Sequence, residues 1–256
     1  MSFSAIMALT KRELLRSRRF FGLELLSPAL MGILFIYIFK LAVGGNIDAQ
    51  QLGGLPMLEF IAAGFIGLSM MQFSFYASGY SLMFDKMERM IEDLLTAPLN
   101  GLEIAAGYML AALLRGIMVS ISVMIVMGFL VGLHIQQIGL LFLFLILGGV
   151  GLSALSLICC IYSHKWDSLA AKESFLVIPL LQLSGAFFPM SALESPIWRM
   201  IMGLNPIYYV IDGVRHAVTG IGEMPLLHDL LVSVCFMVFC VLVASWMFSV
   251  GYRMKD

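Results

Sequence analysis

The sequence predicts an all-α integral membrane protein with six transmembrane helices. Of its 256 residues, 61% are hydrophobic and 12% are charged, a composition far from that of a soluble globular domain. Several stretches without charge are long enough to cross a bilayer as helices. The cations are concentrated in alternate connecting segments, as expected of a chain that crosses the membrane several times. Residues 1–256 are therefore treated as a single transmembrane domain.

Residues 1–22 predict an interfacial helix before the first span. The apolar residues of this segment fall on roughly one helical face: Phe3, Ile6, Met7 and Leu14. The cations crowd its second half: Lys11, Arg12, Arg16, Arg18 and Arg19. A basic amphipathic helix of this kind binds anionic membrane lipids. A secretory signal is the rival interpretation, but the apolar run that follows exceeds the core length of a signal peptide.

The six predicted spans are residues 25–43, 58–84, 102–133, 138–162, 173–188 and 227–251. Arg115 lies near the start of a charge-free run in the third span, and its side chain is expected to reach the cytosolic interface. The fourth span carries small residues that permit close helix packing: Gly148, Gly149, Gly151, Ser153 and Ser156. The fifth span is short and contains Pro179. Residues 163–172 before it are predicted to form a polar loop.

One face of the second span is polar. Ser69, Gln72, Tyr76 and Tyr80 recur at helical spacing, and polar groups at membrane depth need partners or a pathway. We identify Gln72, Tyr76 and Tyr80 as a candidate translocation surface. Hydrogen bonding between helices is the alternative role for these side chains.

Residues 85–101 form the longest charged run between two apolar spans. Its apolar residues share one face of a predicted short amphipathic helix: Met87, Met90, Ile91, Leu94 and Leu95. Pro98 is expected to end this helix, and Asn100 with Glu103 suggests a capping box for the next one. The segment is either a membrane-surface connector or a docking surface for another protein.

Residues 189–220 are apolar but interrupted by proline and glycine. Ser195 before Pro196, and Asn205 before Pro206, each predict an N-cap followed by the first helical residue. The segment therefore predicts two short helices, arranged as an external re-entrant hairpin between spans five and six. Such a hairpin is tolerated at membrane depth where it is buried in protein or lines a cavity.

The distribution of cations predicts that both termini are cytosolic. The proposed cytosolic segments 1–19, 85–101, 163–172 and 252–256 hold eleven cations, whereas the proposed external segments hold Lys40, Arg199 and Arg215. This bias agrees with six spans. A seventh span through 197–214 would place the C-terminal cations outside, which is why the hairpin is preferred.

Several kinds of chemistry are missing from the sequence. No lysine follows a glycine, so the chain lacks a GxxxxGK[ST] phosphate-binding loop. The four histidines lack the HExxH spacing of a metalloprotease. The four cysteines lie in apolar runs without the spacing of a metal site. The chain is expected to bind no cofactor, metal or nucleic acid of its own.

Two stretches resemble permeases of ABC-2 type transporters. The first contains Glu88-Arg89, Glu92-Asp93-Leu94-Leu95, Ala97-Pro98-Leu99 and Leu102-Glu103-Ile104. The second contains Leu183-Ser184-Gly185-Ala186-Phe187-Phe188-Pro189-Met190, Leu204-Asn205-Pro206-Ile207-Tyr208-Tyr209 and Asp212-Gly213-Val214-Arg215. With the six spans and the basic N-terminal helix, the resemblance covers essentially the whole chain. Tyr108 departs from the family, since many relatives carry a lysine there.

The resemblance implies a permease of a bacterial inner membrane that dimerises and binds a separate cytosolic ATPase, which holds ATP and magnesium. Export is the usual direction, although import stays open, and drugs, lipids and polysaccharides are all possible substrates. The implied ATPase-coupling residues are Glu88, Arg89, Glu92, Asp93, Leu94, Leu95 and Pro98. The implied external gate contains Phe188, Pro189, Asn205, Pro206, Tyr208, Tyr209 and Arg215.

Simpler roles stay open for both sets of residues. The charged residues could form a solvated face, and the tyrosines and prolines could be structural anchors. An ATP-independent secondary transporter or a membrane scaffold is the alternative function. A secondary transporter is expected to carry broken helices in both halves of the chain, and a single such break is evident here. Clustered catalytic side chains of a membrane enzyme are not recognisable in the sequence.

Overall fold

A computed structural model describes residues 3–43, 55–96 and 99–251, and every regular element in these ranges is helical. The α-helices are α1 (Phe3–Ser17), α2 (Phe21–Val43), α3 (Met57–Met87), α4 (Met90–Thr96), α5 (Gly101–Val131), α6 (Ile138–Ile161), α7 (Trp166–Lys172), α8 (Ile178–Gln182), α9 (Pro196–Leu204), α10 (Pro206–Thr219) and α11 (Leu226–Val250). A 3₁₀ turn at Arg18–Phe20 joins α1 to α2, a π-helix at Glu173–Val177 joins α7 to α8, and a second 3₁₀ turn covers Met190–Ala192.

The central element of the bundle is α3, which packs against α2, α5, α6 and α10. Small residues bring α3 and α6 together. The Ser78 hydroxyl donates to the Ser153 carbonyl at 3.0 Å, and the Ser156 hydroxyl donates to the Phe75 carbonyl at 2.6 Å. The predicted packing role of the small residues in the fourth span is therefore confirmed. Lipid chains are as apolar as the core, so close van der Waals contact and such hydrogen bonds stabilise this interface.

Five helical runs in the described part of the chain are long and apolar enough to cross a membrane. They are Phe3–Leu41, which contains α1 and most of α2, together with α3, α5, α6 and α11. The predicted spans 25–43, 58–84, 102–133, 138–162 and 227–251 each lie within or close to one of these runs. Residues 44–54, between the first two predicted spans, lie outside the described ranges, as does the predicted cytosolic segment 252–256.

The boundaries predicted for the fifth span, 173–188, are wrong at both ends. Helical structure begins at Trp166, inside the predicted polar loop, and ends at Gln182. Its 17 residues reach about 25 Å at 1.5 Å per residue, which is less than the roughly 30 Å of a hydrocarbon core. The sixth membrane crossing therefore stays a prediction.

The N-terminal helix α1 is packed against α5 with one of its faces. Leu9, Thr10 and Glu13 are buried, whereas Phe3 and Met7 are exposed. Thr10 donates to the Gly107 carbonyl of α5 at 3.3 Å. Phe3 and Met7 are thus left free for lipid, which fits an interfacial helix, while Leu9 and part of the polar side are directed into the protein.

The two helices predicted between spans five and six are present. Ser195 and Asn205 are the N-caps of α9 and α10, and a proline follows each of them. The Asn205 side chain accepts a hydrogen bond from the Ile207 amide at 3.1 Å, as an N-cap residue should. Helix α10 is buried along most of its length among α3, α6 and α11, whereas α9 is mostly exposed. Whether the pair is re-entrant in a bilayer stays a prediction.

Candidate functional site

A long groove follows the exposed side of α3. It consists of an apolar cavity of about 430 Å³ and a charged cavity of about 800 Å³, and Tyr76 lines both of them. Gln72 lines the apolar cavity, and Tyr80 lines the charged one. The three residues of the predicted translocation surface therefore line two neighbouring cavities that share Tyr76.

The aromatic rings of this surface form a short stack. The ring centroids of Tyr76 and Tyr80 are 4.6 Å apart, and the Tyr80 ring stacks on Trp166 of α7 at 5.9 Å. The Tyr80 hydroxyl donates to the Glu173 carboxylate at 2.8 Å. Tyr80 thus takes part in contact between helices, which was the alternative role. Tyr76 and Gln72 remain exposed to the groove.

The position of Glu173 depends on the π-helix. The Ile178 amide donates to the Glu173 carbonyl, five residues earlier, so the backbone is wider here than in an α-helix. Pro179 follows immediately and has no N–H to donate. Single π turns inside α-helices occur frequently at functional sites. Here the wide turn carries the carboxylate that meets Tyr80.

A cluster of buried charges joins α1 to the end of α3. Asp85 is fully buried, although the sequence placed it in the exposed connector. Its carboxylate accepts hydrogen bonds from Arg12, from Arg16 at 2.6 Å, and from the Tyr108 hydroxyl. Glu13 is also buried and pairs with both arginines. Two of the five cations assigned to lipid contact thus bind protein carboxylates, and Tyr108 contacts Asp85.

Arg115 of α5 is paired within the protein. Its side chain, which the sequence predicts to reach the cytosolic interface, is 8% exposed. The guanidinium makes a two-pronged ion pair with Glu24 at the start of α2 and lies over the Phe73 ring, 5.5 Å from its centroid. The ion pair satisfies both charges.

The charged connector 85–101 is a turn followed by a short helix. Glu88 and Arg89 end α3, and Arg89 has a left-handed φ of +60°. The predicted single helix through Met87 and Glu88 is therefore wrong, because the left-handed residue breaks it before α4. The Asn100 amide donates to Glu103 at 3.0 Å, which confirms the capping box predicted for the next helix.

The implied coupling residues are largely exposed at this turn. We define the coupling surface as the exposed residues Met87, Glu88, Arg89, Met90 and Glu92. Ile91 is buried, and Leu94 is half-buried against the core. The side chains of Asp93 and Leu95 in α4, and the whole of Pro98, lie outside the described residues.

The implied gate residues meet in a buried polar network around α10. Asn205 donates to the Leu180 and Leu183 carbonyls at 2.6 and 3.1 Å, which fixes the end of α8. The Tyr209 hydroxyl donates to the Gly203 carbonyl at 2.7 Å, within the α9–α10 hairpin. Phe188 packs against the cluster of Met202, Tyr208 and Tyr209. Pro189 is buried, and Pro206 begins α10.

Arg215 is the centre of this network and is 1% exposed. It pairs with Asp212 at 3.0 Å, donates to the Gly185 carbonyl at 2.5 Å and lies over the Phe60 ring of α3, 3.6 Å from its centroid. Buried charges require such pairing. The contacts fix the chain after α8 to both α10 and α3. A cation that the sequence assigned to the external surface is thus fully enclosed.

Asp212 and Glu223 extend the network to the segment before α11. The Asp212 carboxylate accepts from the Glu223 and Met224 amides at 2.9 and 2.8 Å, and the Tyr208 hydroxyl donates to Glu223 at 2.9 Å. Burial, followed by the nearby carboxylates of Asp212 and Glu223, raises the pKa of the Tyr208 phenol above its ordinary value, so Tyr208 stays a donor.

The carboxylates at these sites were missed as functional candidates. Asp85, Glu173 and Glu223 meet partners that are distant in sequence, so no local pattern identifies them. Asp212 precedes Arg215 by three residues, which is the spacing of a helical ion pair. That spacing was the one available signal. It lies within a motif quoted above for its family resemblance.

Comparison with known proteins agrees with this architecture. The family model described as ABC-2 type transporter matches residues 4–219. Inner membrane transport permease YadH of Escherichia coli is 30% identical over 234 residues, which cover 91% of this chain and 90% of that protein. Nodulation protein J of Neorhizobium galegae is 30% identical over 209 residues, covering 79% of each chain. The chain therefore belongs to the ABC-2 type transporter family and is a transport permease of that family.

Proposed function

We propose that this chain is the membrane subunit of an ATP-driven exporter. It forms the translocation pathway as a dimer and couples to a separate cytosolic ATPase, which binds ATP and magnesium and performs the hydrolysis. The bacterial inner membrane is the proposed location, in line with the name of the Escherichia coli relative. Both termini lie in the cytosol in this proposal, and membrane lipids surround the bundle.

The observation that carries the proposal is the continuity of α3. One end of this helix bears the coupling surface, and its exposed side lines the groove at Gln72 and Tyr76. A force applied at Met87, the last residue of α3, would therefore tilt the wall of the groove, since a helix transmits displacement as a rigid body. Movement of the coupling surface is therefore expected to move the wall of the groove.

The chemistry of the coupling surface suits a protein partner. Met87 and Met90 are 46% and 43% exposed beside Glu88, Arg89 and Glu92. Methionine side chains adapt readily to a partner's surface, and the charges around them favour orientation during docking. The sequence lacks a phosphate-binding loop, so the hydrolysing site is assigned to the partner.

The buried charge cluster connects the end of α3 to two further helices. Arg12 and Arg16 of α1 pair with Asp85, three residues before Glu88. The Lys86 ammonium donates to the Ile161 and Ser163 carbonyls at 3.3 and 2.9 Å, at the end of α6. Movement of the coupling surface would thus be shared by α1, α3 and α6.

The test is affinity purification of the full chain from its native membrane in mild detergent. The proteins recovered are identified, and vanadate-sensitive ATP hydrolysis is measured. The proposal requires a P-loop ATPase in the preparation, with hydrolysis that depends on the permease. Recovery of the permease without any ATPase, at several detergent concentrations, would instead favour a nucleotide-independent carrier or a scaffold.

A further inference from the structure

The two cavities of the groove differ in charge, and Glu173 is the one charged residue among the described residues that line the smaller cavity. Apolar and aromatic side chains dominate the smaller cavity: Met31, Phe35, Phe65, Leu68, Phe73 and Phe187. Phe35 of α2 and Phe187 stack with ring centroids 5.2 Å apart, which forms one aromatic wall. The larger cavity contains five charged side chains: Glu13, Arg16, Arg19, Glu24 and Arg115. The groove is therefore amphipathic along its length.

The charges of the larger cavity do not cancel. Glu24 is paired with Arg115. Glu13 is shared by Arg16 and by Arg12, which lies just outside the lining. Arg19 is exposed, and among residues 3–43, 55–96 and 99–251 no carboxylate pairs with it. One guanidinium is thus available to a ligand at this end of the groove.

An exposed guanidinium beside two satisfied ion pairs selects for negative charge. Arginine binds phosphate, sulfate or carboxylate groups through two parallel hydrogen bonds. The exposed ring of Tyr76 lines both cavities, so it can cover the junction of a polar head and an apolar chain, and Trp166 lines the larger cavity. The volumes of about 430 and 800 Å³ suit such a ligand.

We propose that the groove binds an amphiphile with an anionic head group, the head group lying against Arg19 and the apolar part lying among Phe35, Phe65 and Phe187. This inference names a substrate class for the pathway proposed above, and in that sense it rests on the proposed function. Binding itself needs neither ATP nor a partner, so it is measured separately.

Trp166 provides a native reporter within the groove. The other two tryptophans, Trp198 and Trp246, are exposed and lie outside its lining. A chain with Trp198→Phe and Trp246→Phe leaves Trp166 as the single source of tryptophan fluorescence. The purified full chain in an uncharged detergent is titrated with brominated phosphatidylglycerol, and in parallel with brominated phosphatidylcholine of the same acyl chains.

The expected result is quenching of Trp166 at about fivefold to tenfold lower concentration of the anionic lipid, as one charge-assisted contact would give. Arg19→Gln should remove that preference. Arg199→Gln is the matched control, because Arg199 is an exposed cation of α9 that does not line the cavity. Equal quenching by both lipids, or equal loss of preference in both variants, would overturn the proposal.

A second measurement separates this inference from the function on which it rests. If an ATPase is recovered, the anionic lipid should stimulate its activity through the unaltered permease and not through the Arg19→Gln variant. A lipid preference without any ATPase would remove the export proposal and leave the binding site standing. An active ATPase without a lipid preference would remove the substrate assignment alone.

Discussion

Arg16 of the N-terminal helix donates to the buried carboxylate of Asp85 at 2.6 Å, across 69 residues of sequence. Arg12 binds the other oxygen of the same carboxylate. Asp85 lies two residues before the end of α3, next to the coupling surface. The two arginines are partly exposed, whereas Asp85 is not, so the carboxylate is the member whose loss leaves the largest unmatched charge.

Replacing this carboxylate should destabilise the protein and loosen α1. Asp85→Asn removes the negative charge that holds Arg12 and Arg16, and we expect a loss of about 1–3 kcal/mol in the free energy of unfolding. Denaturant titration in mixed micelles measures it. Asp167→Asn is the control, because Asp167 is an exposed carboxylate at the start of α7. Equal effects of the two variants would contradict the structural role of Asp85.

Tyr108→Phe tests the neutral member of the same cluster. The Tyr108 hydroxyl donates to Asp85 from a side chain that is 1% exposed. Its removal should cost about 0.5–1.5 kcal/mol, the usual net value of one hydrogen bond. Tyr37→Phe is the matched control, since Tyr37 is 62% exposed on α2. The melting temperatures of both variants in detergent are compared, and the expected decrease is confined to Tyr108→Phe.

The features that the sequence predicted correctly are those with local causes. Pro206 after Asn205 begins a helix because the side chain caps it and the proline ring fixes the first φ angle. Apolar length alone locates the five long helical runs. The contacts that the sequence did not predict are long-range. The pairing of Asp85 with Arg12 depends on which face α1 presents, and no spacing in the sequence specifies that choice.

The coupling surface shows a second kind of feature that the sequence did not predict. Helical periodicity predicted one amphipathic helix through Met87, Glu88 and Leu94, but Arg89 adopts a left-handed conformation that periodicity does not reveal. The polar face of α3 was found because Gln72 and Tyr76 lie on one unbroken helix. The carboxylate that meets Tyr80 was missed because the π turn at Glu173 shifts the register of its helix.

Charge removal at the coupling surface should separate coupling from folding. Glu92→Ala combined with Asp93→Ala is expected to lower the permease-dependent ATPase activity several-fold, because the surface loses charges proposed to orient the partner. Thermal stability should stay unchanged, since Glu92 is exposed. Glu194→Ala, an exposed carboxylate next to α9, is the control. Unchanged ATPase stimulation by the double variant would remove these residues from the coupling assignment.

Arg215 is expected to stabilise the position of α10 in the bundle. Arg215→Met leaves Asp212 with an uncompensated buried charge, and breaking a buried ion pair costs about 3–5 kcal/mol. Arg199→Met is the comparison, because Arg199 is exposed on α9 and its loss should cost well under about 1 kcal/mol. The free energies of unfolding of the two variants in mixed micelles decide the point. Similar values would show that the buried contacts of Arg215 do not stabilise the fold.

The close approach of α3 to the segment after α8 depends on Gly64. A Cβ atom at this position would lie 2.7 Å from the Ala186 Cα and 2.9 Å from its carbonyl carbon. Both are backbone atoms that cannot move aside as a flexible side chain would. Gly64→Ala should therefore separate α3 from the chain that Arg215 holds at Gly185, at a cost of about 1–3 kcal/mol.

Gly139 in the first turn of α6 provides the matched control for this substitution. No atom lies within 4 Å of the position where its Cβ would be, so Gly139→Ala should leave stability unchanged or raise it by up to about 1 kcal/mol. Thermal unfolding in detergent measures both variants under identical conditions. If Gly64→Ala melts at or above the temperature of Gly139→Ala, the backbone contact between α3 and Ala186 does not constrain the fold.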